Sequence, residues 1–143
     1  MKQLIIKKTG LRSAVIAVAF SAMLAISLSA CQTSNPEVPA NLTAREIIQK
    51  AQNAYNAGRE KQALYYYDTL IARYGMNTTT YIEGKYEIAH IYVKAKKWDK
   101  ALPVLNELKN LYASSLPGSY PGEYLKMVQN DLAKVPEKYL KQE

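Results

Sequence analysis

One cysteine, one histidine, one tryptophan and one phenylalanine stand in a chain of 143 residues. A disulfide framework needs cysteines in pairs, so none forms within this chain. A metal or catalytic centre of convergent ligands has a single histidine to draw on, His90, and the charged side chains one helical turn from it are only Glu87 and Lys94. GxSxG, HExxH, a glycine-rich phosphate loop and CxxC are all missing. No catalytic residue, metal site or cofactor is therefore expected, and the chain is read as a non-enzyme. Strand-type alternation is missing from every segment, which excludes a β fold. Acidic residues are missing from positions 1–30, which hold Lys2, Lys7, Lys8 and Arg12, whereas 15 basic residues meet 12 acidic ones from position 31 onward. The formal charge of +7 thus describes neither piece, and it does not mark a nucleic-acid binder.

The aromatic residues divide at the same place, since Phe20 precedes it and Trp98 and all 12 tyrosines follow it. Ahead of it, an uncharged, mostly apolar run from Ser13 to Leu28 follows the basic stretch. At this length it falls short of the roughly 20 residues of a spanning helix and has the form of a secretory signal. The tetrad Leu28-Ser29-Ala30-Cys31 resembles the lipobox of bacterial lipoproteins. That resemblance implies cleavage after residue 30 and acylation of Cys31, and Gln32 in place of an aspartate implies sorting to the outer membrane. Residues 31–41, with Pro36 and Pro39 and no apolar periodicity, are expected to be a flexible tether, and residues 42–143 a helical domain.

From Leu42 the apolar spacing is helical. Thr43 and Glu46 form a capping box with Leu42 and Ile47 as its hydrophobic staple, and the helix they open closes at Gly58. A second helix is predicted over 59–74, a third over 80–95 capped by Thr80, a fourth over 99–112 with Pro103 near its start, and a last over 122–135. The third is apolar around most of its circumference and should be sandwiched between neighbours. All-α is the predicted class.

The first four helices repeat with an offset of 38 residues, which pairs Ala51 with Ala89, Ala63 with Ala101, Leu64 with Leu102, Tyr67 with Leu105 and Leu70 with Leu108. Two such helix-turn-helix units resemble tetratricopeptide repeats, whose period is about 34 residues. The resemblance implies a right-handed solenoid of two repeats plus a C-terminal capping helix. Together with the lipobox, the segment from Ala51 to Tyr74 is similar to the tetratricopeptide lipoproteins of outer-membrane barrel assembly, and the chain is similar in kind to the pilotins of secretin systems.

In such arrays the first helix of each repeat lines a concave peptide-binding face. The resemblance places Arg45, Ile48, Gln52, Tyr55 and Asn56 there from the first copy, and Glu83, Tyr86, His90, Val93 and Lys94 from the second. Amides bond an extended backbone, tyrosine rings pack on it and cations meet its acids. Glu83 and Glu87, one turn apart, and the lysines at 94, 96, 97 and 100 read as solvated. Tyr65 and Tyr66 fall off the Tyr67 stripe, so that one of them should be exposed, covered by a partner or packed on the last helix. The expected function is that of a lipid-anchored adaptor binding an envelope protein or extended peptide, facing the periplasm and without nucleic acid. The alternative is a binding protein for a small ligand or cell-wall fragment in the same tyrosine-lined groove.

Overall fold

The computed structural model describes residues 36–140. Among them are six helices and no strand: α1 (Ala44–Asn56), α2 (Glu60–Tyr74), α3 (Thr78–Lys94), α4 (Trp98–Ala113), α5 (Gly122–Leu132) and the short α6 (Glu137–Leu140). Consecutive helices from α1 to α5 pack in antiparallel pairs, and α3 also meets α5. The all-α class and the stacking of helix-turn-helix units are as the periodicity requires. The signal segment and Cys31 lie outside the described residues.

Local chemistry sets the helix starts. The Thr43 hydroxyl accepts from the Glu46 amide at 3.3 Å while the Glu46 carboxylate accepts from the Thr43 amide at 2.8 Å, so the capping box is complete. Helix α3 starts earlier than expected. Asn77, not Thr80, is its N-cap, with the side-chain oxygen 3.0 Å from the Thr80 amide. Asparagine caps as well as threonine does and comes first along the chain. Pro103 is the sixth residue of α4, beyond the first turn, so α4 forgoes one backbone bond. Helix α5 ends at Leu132 rather than Val135; Val135 is buried, and α6 begins directly after Pro136, whose fixed φ suits a helix start.

The 38-residue repeat is exact in the backbone of the two inner turns. Ala57, Gly58 and Arg59 donate to the carbonyls of Asn53, Tyr55 and Ala54; Ala95, Lys96 and Lys97 donate to those of Ile91, Val93 and Tyr92. Gly58 (φ 72°) and Lys96 (φ 56°) occupy the same left-handed position. Burial repeats as well, since Ala51, Ala63, Ala89 and Ala101 have no exposed surface, nor do Leu70 and Leu108. Short side chains let the helices close on one another. Gly84 marks the tightest approach: a Cβ there would stand 2.8 Å from Ile71 Cγ1, across the α2–α3 contact.

Two apolar clusters share α3. Ile88 and Ile91 join Ile47, Ala51, Tyr67 and Leu70 in the first, while Ile82, Tyr86, Ala89 and Val93 join Leu105, Leu108 and Val128 in the second. This is the sandwiched helix that its apolar circumference predicts. Tyr66 belongs to the first cluster and is buried, and Tyr65 packs half-buried against the same cluster.

The spacer expected over 31–41 is not free where it is described. Val38 is buried in the first cluster, and the Arg73 guanidinium donates to the Val38 and Pro39 carbonyls at 2.6 and 2.7 Å. The Tyr74 hydroxyl donates to the Leu42 carbonyl. One valine and three carbonyl acceptors are enough to pin a segment that has no helical period, so the packed part begins at Val38 rather than at Leu42.

Candidate functional site

Helices α1, α3 and α5 run in the same direction, and their side chains meet across one face. Arg45 at the start of α1 lies in the field of Glu83 on α3. His90 on α3 reaches Asp131 on α5. Of the predicted residues, Arg45, Gln52 and Asn56 are exposed along α1, and Tyr55 is half-buried against the first cluster. Lys94 is exposed in the last turn of α3, where a cation complements the helix dipole.

Tyr86 and His90 are placed differently from the open groove positions the resemblance implies. Tyr86 is only 4% exposed and sits in the second cluster. Its ring stacks on the His90 imidazole, with centroids 5.5 Å apart, and meets Tyr124 edge-on at 5.8 Å. His90 Nδ1 lies 2.7 Å from Asp131 Oδ2, and Lys134 Nζ donates to Asp131 Oδ1 at 2.7 Å. A carboxylate is acceptor-only, so Nδ1 carries the proton and donates. The Tyr86 hydroxyl lies 3.2 Å from the same Nδ1, and burial first, then the Asp131 charge, pushes its pKa upward. His90 and Tyr86 thus organise a polar joint between α3 and α5.

Asp131 is the centre of that joint, with 1% of its surface exposed. Burial raises its pKa, but the Lys134 and His90 hydrogen bonds outweigh burial and hold the carboxyl below its ordinary 3.8. It was missed in the sequence, although a signal exists. Position 131 continues the α5 stripe of Tyr124, Met127 and Val128 at helical spacing, and an acid on an apolar stripe needs partners.

Glu83 and Glu87 are half-buried, not a solvated face. Burial pushes both carboxyls up, opposed at Glu83 by Arg45 and at Glu87 by His90, with Glu83 adding repulsion at Glu87. The tyrosines around them respond. Burial first, then Glu87 and Glu83, drives the Tyr67 hydroxyl upward, and Tyr124 is pushed up to about 12 by burial and the same two acids. The face therefore combines an exposed amide and arginine row on α1 with a recessed acidic and tyrosine row on α3 and α5.

Among the described residues no three His, Cys, Asp or Glu side chains converge to hold a metal ion. A cavity of about 680 Å³ lies elsewhere, lined by Asp99, Leu102, Pro103, Asn106, Lys109 and Tyr139, and includes none of the candidate residues. No helix among the described residues is long and apolar enough to cross a membrane.

No protein-family model matches the sequence. No solved structure matches it. The chain is similar to an uncharacterized protein of Treponema pallidum (strain Nichols), with 33% identity over 110 residues covering 76% of this chain and 44% of that protein. It thus spans less than half the length of the curated relative it matches.

Proposed function

We propose that this is a lipid-anchored, non-catalytic adaptor of the bacterial envelope, a tetratricopeptide-like right-handed stack that binds an extended segment of another envelope protein. Acylation of Cys31 tethers it, and the Gln32 that follows directs it to the outer membrane, facing the periplasm. Assistance to barrel or secretin assembly is the activity nearest in kind. The observation that carries the reading is the composite face: exposed Arg45, Gln52 and Asn56 on α1 beside half-buried Glu83, Glu87 and Tyr124. Amides bond a peptide backbone, tyrosines pack on it with little loss of entropy, and the charged groups set its register.

Two measurements test this. Cys31→Ser is expected to release a folded protein from the membrane fraction, and retention there would refute the anchor. A photoreactive amino acid placed at Gln52 or at Asn56 in cells is expected to crosslink the same envelope protein from both sites, with none captured from the exposed outer-face position Lys109. Equal capture from Lys109, or none from α1, would remove the adaptor reading.

A further inference from the structure

Antiparallel pairing sorts the ends of the helices onto two opposite edges. One edge gathers the start of α1 and the loops 75–77 and 114–121. Hydrogen bonds tie it together, from Arg73 to Val38 and Pro39, from Tyr74 to Leu42, and from Tyr112 to the Pro121 carbonyl at 2.6 Å. The other edge gathers the turns 57–59, 95–97 and 133–136, where Lys97 pairs with Glu60 and Trp98 lies against Tyr139.

Their chemistry is opposite. Residues 74–82 and 110–122, which build the two loops of the first edge, contain no charged side chain. Each loop carries an exposed large apolar residue, Met76 at 99% and Leu116 at 79%. Behind them sit half-buried tyrosines, Tyr74, Tyr81, Tyr112 and Tyr120. Charges at this edge, Glu37, Arg45, Glu46, Arg73 and Glu123, stand outside the loops, and Arg73 is bonded to the Val38 and Pro39 carbonyls. The second edge carries Lys94, Lys96, Lys97, Lys100, Lys134 and Lys138. Apolar loop tips over tyrosines, without charge, match the chemistry of a membrane–water interface, where aromatic residues collect and lysine at depth is unfavourable.

The tether enters the domain at the uncharged edge, so an acyl group on Cys31 brings a bilayer to this edge first. Cys31 lies seven residues before the pinned Val38, a stretch that spans at most about 25 Å. The lysine edge is a further helix length away, about 24 Å for the 16 residues of α4.

We infer that, with Cys31 acylated, the uncharged edge rests in the headgroup layer of the bilayer and inserts Met76 and Leu116. This inference depends on the lipid anchor proposed above. The helices then stand along the membrane normal with their lysine ends outward, and the α1–α3–α5 face stands upright on the bilayer, open to a segment passing parallel to the membrane surface.

The test uses the full acylated protein in vesicles of phosphatidylethanolamine and phosphatidylglycerol, with Met76→Cys, Leu116→Cys or Lys61→Cys carrying an environment-sensitive fluorophore. Expected are a blue shift and quenching by nitroxide-labelled lipid at positions 76 and 116, unchanged by salt, and neither at 61. Protein that floats with vesicles but shows no quenching at 76 and 116 overturns the docking and leaves the anchor standing. Quenching at 61 that needs phosphatidylglycerol and disappears in salt overturns it in favour of the lysine edge. Protein that neither floats nor carries acyl mass on the Cys31 peptide overturns the anchor, and the docking with it.

Discussion

The turns at 57–59 and 95–97 have one backbone and two sequences. The first places Gly58 in the left-handed region, where glycine is at no disadvantage; the second forces Lys96 into it. Their surroundings differ in the same sense. The first hairpin, α1–α2, is closed on one side by α3 and on the other by the pinned segment around Val38. The second, α3–α4, is held between α2 and α5 and carries the polar joint at Asp131. Packing around the second turn therefore holds Lys96 in a backbone conformation that its residue type disfavours.

The largest expected effects probe whether the two cores are equivalent. Leu70→Ala and Leu108→Ala, at equivalent positions of the repeat and both fully buried, should each destabilise by about 3 kcal/mol in chemical denaturation. A difference of twofold or more between them would mean that the repeat in sequence is not a repeat in energy. Asp131→Asn exists only on the second side of the comparison. It should lower stability by about 2 kcal/mol by weakening hydrogen bonds to a charged acceptor. Because the folded Asp131 pKa lies below 3.8, its contribution is complete above that value and is lost as pH falls through the folded one. An unfolding curve for the variant that loses stability in strong acid as steeply as the parent would contradict this.

Smaller effects sharpen the contrast between the turns themselves. Gly58→Ala should cost about 1 kcal/mol, and Lys96→Gly should gain about 0.5–1 kcal/mol, because the same φ suits one residue and not the other. Thermal melts giving the same sign for both would break the parallel. Smallest is the effect of Glu87→Gln. The folded Glu87 pKa lies above 4.5, so its carboxylate opposes folding at neutral pH, and that penalty fades as pH falls through the folded value. The variant should melt slightly higher than the parent at pH 7 and match it near pH 4. A lower melting temperature at pH 7 would mean that the Glu87 charge is stabilising.

Much of the fold is legible because helical spacing depends only on neighbours along the chain. Ala51, Ala63, Ala89 and Ala101 announce both close helix contacts and the repeat. The candidate face is less so. Arg45, Gln52 and Asn56 are surface residues of α1 as expected, but nothing local says that Tyr86 turns inward or that His90 is bound to a residue 41 positions away. Tyr66 lies off its own stripe, yet the first cluster covers it.

By itself, then, the sequence determined the helices, their capping at Thr43, the 38-residue repeat and the two uncharged stretches, all properties of short-range order and composition. Tertiary structure alone decided three things: which acids are half-buried, that Val38 is part of the packed domain, and that residues 74–82 and 110–122 meet on one edge. The reason is geometric. Each follows from antiparallel packing, which brings together residues 30 to 40 positions apart, and no local preference encodes contact at that distance.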